Sequence, residues 1–378
     1  MKKVVFAVLC FSLLLSGCNK KAPDVSSSIS ETLQSSSQIS SQETSSDISS
    51  EISSDISSDV SSDKAETSSS KAEGSSDVVS KPVNKEEEAV LDYFADPSMK
   101  EMMRLAFEKL LPGVKNPTYA QVKSLKISKI HITFGAGNAA AGKTIISFYK
   151  KEEAYPLEMS FYTALDGTVT YDAKANANVL KGFEKLPQYD WLVIDYGDYY
   201  TGYNYPEMLN GILTNVWGLS YNNFETKSID FSAVSPSSFA GLKGLSVYGY
   251  QEGELERLLS ENNVIEEIYL SDETEDGLAF LSTKKSLKKI SVSNTAFGEK
   301  NAGIFNDLPN LYYLDICYCS VSTFDLINPV FPKLKNFYVF ETYVRNPHTS
   351  MLSAGWKQHA LEHGASEDII VDSVGPKI

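Results

Sequence analysis

Leu242-Lys243-Gly244-Leu245-Ser246-Val247 carries the pattern that decides the fold: an apolar residue, two others, a second apolar residue, one other, and a third. The pattern returns at Tyr189-Leu192-Ile194, Val216-Leu219-Tyr221, Ile265-Ile268-Leu270, Leu287-Ile290-Val292, Leu311-Leu314-Ile316 and Leu334-Phe337-Val339, with an earlier copy at Ile127-Ile130-Ile132. Middle residues from Leu192 to Phe337 are separated by 27, 26, 23, 22, 24 and 23 positions. A unit this short cannot bury its own apolar face, so regular recurrence at this period predicts stacked repeats that share one core. Within each copy the last two apolar residues lie two apart and face the same side of a short strand. Intervening segments such as Glu254–Leu259 and Asp307–Asn310 suit short helices or turns on the opposite side. A chain with 42% hydrophobic residues yields an occasional match by chance, but not a series at this spacing.

Upstream, helical spacing from Glu86 to Leu111 puts Met99, Met103, Ala106 and Leu110 on one face, and Pro112-Gly113 ends the helix. Asp96-Pro97-Ser98 through Ala106-Phe107-Glu108-Lys109-Leu110, followed by Thr118 and Val122, resembles the N-terminal helical cap of internalin-type leucine-rich-repeat proteins. That resemblance, with the repeat, implies an α/β leucine-rich-repeat solenoid: a parallel sheet on the concave face, closed at its start by a helical cap. The chain departs from the family at the position three residues after the last apolar one, usually Asn or Cys. That series reads Gly197, Phe224, Tyr250, Glu273, Thr295, Cys319 and Thr342, so the usual asparagine ladder is missing there.

The 62 residues from Ile130 to Leu192 are too many for one repeat. Thr144–Tyr149, Leu157–Tyr162 and Thr168–Tyr171 read as strands, with Asp166-Gly167 as a hairpin turn. An antiparallel β insertion at about 133–188 is expected, with degenerate repeats as the alternative. Gly137–Thr144 matches the P-loop spacing letter for letter, and Val193-Ile194-Asp195 imitates its acidic partner. A phosphate cradle needs a helix after the lysine, whereas Thr144-Ile145-Ile146-Ser147-Phe148-Tyr149 favours a strand. A Gly/Ala hairpin loop is therefore expected, and no cofactor.

The first residues read as an export signal. Lys2 and Lys3 precede an apolar run from Val4 to Leu15, too short to span a bilayer comfortably. Leu15-Ser16-Gly17-Cys18 looks like the lipobox of bacterial lipoproteins, which implies a lipidated Cys18 and a protein held on the extracytoplasmic face of the cell membrane by lipid alone. Serine with scattered acids then dominates to Ser80, a composition that cannot bury a core and predicts disorder. About 62 residues of flexible chain would span roughly 45 Å, and on the order of 200 Å when stretched. The expected organisation is thus signal peptide 1–17, lipidated linker 18–82, helical cap 83–124, repeats 125–345 with the insertion, and C-terminal cap and tail 346–378.

A net charge of −15 argues against nucleic acid and against a polybasic hold on anionic lipid. His359 and His363 lie four apart, but Ala360 stands where a metalloprotease helix carries glutamate, so exposed histidines of a C-terminal helix are expected, and no metal. Cys319 reads as core and Cys317 as an accessible thiol. No nucleophile–base set or paired-acid motif stands out, and no catalytic residue is assigned. The resemblance instead makes the concave face the expected binding site: Trp191, Asp195, Tyr248, Tyr269, Tyr313, Asp315, Tyr338 and Phe340, with Val193, Ser220 and Ser291 between them. Rings beside carboxylates suit a protein or glycan at the cell surface. The alternatives are a glycan hydrolase using carboxylates of the insertion and a structural lipoprotein without a ligand.

Overall fold

A computed structural model of the chain describes residues 84–136, 143–152, 162–196, 205–223, 229–250, 253–271, 277–297, 303–321, 327, 329, 331–339, 343–344 and 353–372. They form a mixed α/β unit built on a long, open, mostly parallel sheet. Its strands begin with β1 (Lys129–Ala136), β2 (Lys143–Lys151), β3 (Tyr162–Ala164), β4 (Val169–Tyr171), β5 (Tyr189–Tyr196), β6 (Val216–Asn223) and β7 (Gly244–Tyr248). They continue with β8 (Glu267–Ser271), β9 (Lys289–Ser293), β10 (Ala296–Phe297), β11 (Tyr313–Asp315), β12 (Ser320–Val321), β13 (Asn336–Tyr338), β14 (Tyr343–Val344) and β15 (Ile370–Asp372). The main sheet runs β15-β13-β11-β9-β8-β7-β6-β5-β1-β2-β3, with β4 also paired to β2, and β10-β12-β14 form a small parallel sheet.

The register follows the repeat. Ile130, Leu192, Leu219, Leu245, Ile268, Ile290, Leu314 and Phe337 stand opposite one another on successive parallel strands. All are buried, at 0–1% exposure. Each such side chain contributes about 1.5–3 kcal/mol by leaving water, which fixes the register because a one-residue slip would turn the whole row outward. Further along the first strands rings join the core, four residues after Ile130 and Leu192 and two after Leu219: Phe134, Tyr196, Tyr221 and then Phe231 stack with centroids 5.6, 5.7 and 5.5 Å apart. The Tyr221 hydroxyl donates to Tyr196 at 3.0 Å within that stack.

Side chains that stitch one repeat to the previous one lie before the strands, not after them. Asn215 Nδ2 donates to the carbonyls of Phe183 and Leu186, both at 2.9 Å. Asn262, fully buried, donates to Phe239 O at 2.6 Å and Leu242 O at 2.7 Å, and accepts from Val264 N–H and Ile265 N–H at 2.9 and 2.8 Å. Lys284 Nζ reaches Leu259 O and Asn262 O at 2.5 and 3.0 Å, and Asn310 Nδ2 reaches Lys285 O at 3.0 Å. At the positions expected from the family, Cys319 is buried with Sγ donating to Val292 O at 3.4 Å, while Tyr250 makes an isolated parallel bridge with Ile229. Gly197, Phe224, Glu273 and Thr342 lie outside the described residues. The turn after the strand repeats in another way: Gly249, Asn294 and Tyr318 each follow the first inward residue by four positions and have φ of 69°, 57° and 57°. Glycine and asparagine adopt this left-handed conformation readily.

Three sequence expectations are corrected. The helix expected from Glu86 begins at Pro97, as α1 (Pro97–Leu110), after two 3-10 turns at Lys85–Glu87 and Val90–Tyr93. Pro97 disfavours a helical conformation at Asp96, whose Oδ1 instead accepts from Met99 N–H at 2.9 Å as the N-cap. Met99, Met102, Met103, Ala106 and Phe107 are buried, and Phe107 meets Phe148 of β2 at 6.1 Å. A second helix, α2 (Tyr119–Ser124), follows with Thr118 and Gln121 as a capping box.

Asp166-Gly167 is not a hairpin. β3 and β4 lie end to end along the same edge of β2, with Tyr149 opposite Ala164 and Ile146 opposite Val169. The extra residues between them bulge, and Gly167 N–H donates to Leu165 O at 2.8 Å. A Cβ on Gly167 would stand 2.6 Å from Leu110 Cγ, so the bulge admits the end of α1 because it carries no side chain. β2 itself is antiparallel to β1, and Thr144 sits inside it with its hydroxyl bonded to Ala173 O, in a strand and not at a helix N-terminus. Of Leu157–Tyr162 only Tyr162 is described, at the start of β3, and residues 137–142 lie outside the described set.

α3 (Glu254–Leu258) fills one connection, and α4 (Ser353–Glu362) precedes β15, a strand the repeat pattern does not mark. His359 on α4 is 6% exposed, not a surface residue, with Phe331 at 5.6 Å and Trp356 at 6.3 Å between ring centroids. His363 is exposed, as expected. No described helix is long and apolar enough to cross a membrane.

Candidate functional site

The sheet face opposite the core is built from residues flanking the inward rows. One row runs Tyr149, Lys129, Trp191, Gly218, Gly244, Glu267, Lys289, Tyr313 and Asn336. A second carries His131, Val193, Ser220, Ser246, Tyr269, Ser291, Asp315 and Tyr338, and a third Thr133, Asp195, Asn222, Tyr248 and Ser271. All of the expected site residues except Phe340 lie on these rows; Phe340 is outside the described residues.

They fall into separate groups. Trp191 and Tyr269 belong to a ring cluster with Trp217, at 6.5 Å from Trp191 to Tyr269 and 5.4 Å from Trp191 to Trp217, both edge-to-face. Two glycines make room for it. A Cβ on Gly218 would stand 2.8–2.9 Å from three ring atoms of Trp191, and one on Gly244 would meet the rings of both Trp191 and Trp217. The indoles thus lie where two neighbouring strands have no side chain, and they remain half-buried. Tyr313 and Tyr338 pair at 5.3 Å further along the sheet. Asp315 accepts from Ser291 Oγ and Cys317 N–H, both at 3.1 Å, and burial pushes its carboxyl above the usual range against those donors.

Asp195 is held on both sides. His131 Nε2 is 2.6 Å from Oδ2, and Asn222 Nδ2 donates to Oδ1 at 2.8 Å and to Ser220 Oγ at 2.9 Å. One position along the first row, Lys129 is 4% exposed, with its ammonium 4.1 Å from the Tyr149 ring centroid and 5.0 Å from that of Tyr162. Burial lowers its pKa from 10.5 to about 8, partly offset by the charge of Asp195. Towards the other end Glu267 receives Lys289 at 3.0 Å and the Tyr269 hydroxyl at 3.0 Å.

Strict strand alternation misses Trp217, which it would turn inward. At strand starts, pairs of successive N–H groups donate to one carbonyl: Asp190 and Trp191 to Ser128 O, Glu266 and Glu267 to Lys243 O, Lys288 and Lys289 to Glu266 O. Such bulges place an additional residue at the outer face. Glu266 there is bridged by Lys243 and Lys288 at 3.2 and 2.7 Å. Lys129 was also missed, because a lysine in a strand reads as solvated until Tyr149 and Tyr162 cover it.

Gly244→Val is expected to force the two indoles off the sheet, at a cost of about 1–3 kcal/mol for overpacking. A red-shifted tryptophan emission and a weakened near-ultraviolet CD band, with the far-ultraviolet spectrum retained, would register this; unchanged spectra would contradict the packing.

No protein-family model matches the chain, and no curated protein matches it. Among solved structures, it is similar to an internalin C2 from Listeria monocytogenes str. 4b F2365, at 12% identity and a TM-score of 0.38, over 78% of this chain and 100% of that one. The chemistry of the face follows from its own residues.

Proposed function

We propose that the chain is a non-catalytic binding protein of the bacterial cell surface: a capped leucine-rich-repeat solenoid, tethered through lipid on Cys18 and the serine-rich linker, that holds a protein or glycan on its concave face. The observation that carries this reading is the ring cluster of Trp191, Trp217 and Tyr269, laid over Gly218 and Gly244 and left half-open on the outer side of the sheet. An angled apolar cluster with polar edges does serve a ligand, since rings bury area while their polar atoms hydrogen-bond. Tyr248, Tyr313, Tyr338, Asp195 and Asp315 extend the same face.

Trp191→Ala is expected to weaken capture of the ligand by about 2 kcal/mol or more, roughly thirtyfold, while leaving the domain folded. Binding of the full chain to arrays of cell-wall, plant and host glycans and to surface proteins is the measurement, with turnover monitored alongside; undiminished binding by the variant would remove the site. The anchor is tested separately. Cys18→Ser is expected to move the protein from the membrane pellet to the soluble fraction and to abolish incorporation of labelled palmitate.

A further inference from the structure

Lys129 carries a buried charge on the outer side of the sheet, held by tyrosine rings and not by a hydrogen-bonded partner. Its side chain is 4% exposed, and its three ammonium donors face the rings of Tyr149 and Tyr162. Among the described residues no acceptor lies within hydrogen-bond distance of Nζ. Asp195, the carboxylate whose charge it feels, is already engaged by His131 at 2.6 Å and Asn222 at 2.8 Å. Buried cations are ordinarily paired, because desolvation without a partner is costly. Lys129 also stands directly opposite Trp191 across β1 and β5, next to the ring floor.

We propose that the ligand of this face is an acidic glycan, with the carboxylate of a uronic-acid residue received by Lys129 and the adjoining sugar stacked on Trp191. The inference rests on the binding reading above and adds the class of ligand. With the Tyr149 and Tyr162 rings displaced from it, the ammonium would gain from a carboxylate the acceptors it lacks, in surroundings where a charge-assisted hydrogen bond is strong. The face of the Trp191 indole above Gly218 and Gly244, with Trp217 inclined at 60° beside it, suits the C–H face of a pyranose ring better than an irregular acidic peptide. The chain's net charge of −15 repels polyanions at long range, so recognition depends on this short-range seat, and moderate salt should strengthen capture by screening the repulsion.

The test uses the full chain in detergent, as wild type, Lys129→Met and Trp191→Ala. The probes are polygalacturonate, hyaluronate, carboxyl-reduced polygalacturonate and poly-glutamate, with thermal melts to show that the variants are folded. The wild type is expected to bind at least one polyuronate. Lys129→Met should weaken that binding by about tenfold or more without affecting the reduced polymer, and Trp191→Ala should weaken both. Equal binding of a polyuronate by Lys129→Met and wild type would overturn the proposal, as would wild type that binds neither polyuronate. Capture of poly-glutamate in preference to the polyuronates would assign the seat to an acidic peptide and overturn it too. If the wild type binds native and reduced polygalacturonate equally and Trp191→Ala binds neither, the acidic ligand is wrong and the binding face stands.

Discussion

Asn262→Leu is expected to destabilise the folded chain by about 3–5 kcal/mol, the upper range for a single substitution. The side chain is wholly buried and makes four hydrogen bonds, two given to Phe239 O and Leu242 O and two taken from Val264 N–H and Ile265 N–H. Leucine removes all of them and leaves two carbonyls and two amides without partners in the core, each costing about 1–3 kcal/mol before relaxation. Asn310→Leu is the comparison: that side chain makes one bond, to Lys285 O at 3.0 Å, at an exposed position, and about 1 kcal/mol is expected. Urea unfolding of the two variants measures the difference. Equal, small losses would mean that Asn262 does not join its repeats as described.

Lys129→Met should act in the opposite direction, stabilising the protein by about 2 kcal/mol at neutral pH. In the folded chain Lys129 binds its proton with a pKa of about 8, against 10.5 when unfolded, a difference of roughly 3 kcal/mol. About 1 kcal/mol of attraction to the two tyrosine rings is lost with the charge. Between these two pKa values the unfolded state binds more protons, so stability rises with pH across that window. Below pH 8 both states are protonated and the cost of burying the charge is present in full. The advantage of the variant should therefore be constant from neutral pH to about 8 and shrink as pH approaches 10.5. Paired melts at several pH values test this; a variant less stable than wild type at pH 7 would show that the ammonium is better accommodated than its surroundings indicate. A residue that lowers stability while facing the outer side of the sheet is what a recognition role predicts.

The inward rows were legible because burial imposes a period, and Leu192 through Phe337 obey it. The stitching side chains were not, because their places shift: Asn215 and Asn310 immediately precede the first apolar residue of a unit, whereas Asn262 comes three before Ile265. A hydrogen bond to the preceding repeat depends on where the turn brings the side chain, not on a fixed count. Asp166-Gly167 misled because its hairpin signal is local, while the actual geometry is set by Leu110 packing against Gly167. Of the outer sheet face, the exposed rows could be read from alternation. Trp217 breaks the alternation at the start of β6, and the burial of Lys129 required Tyr162, thirty-three positions away in sequence.

The bonds of Asn215, Asn262 and Lys284 share a direction: a later segment reaches back to carbonyls of an earlier one, from Asn215 to Leu186, Asn262 to Leu242, and Lys284 to Asn262. A chain emerging from its N-terminus that has reached one of these units therefore ends in carbonyls that await a successor. Assembly is sealed from behind, like tiles nailed down by the next course, and a fragment ending at Leu259 would leave the carbonyls normally met by Asn262 and Lys284 to water.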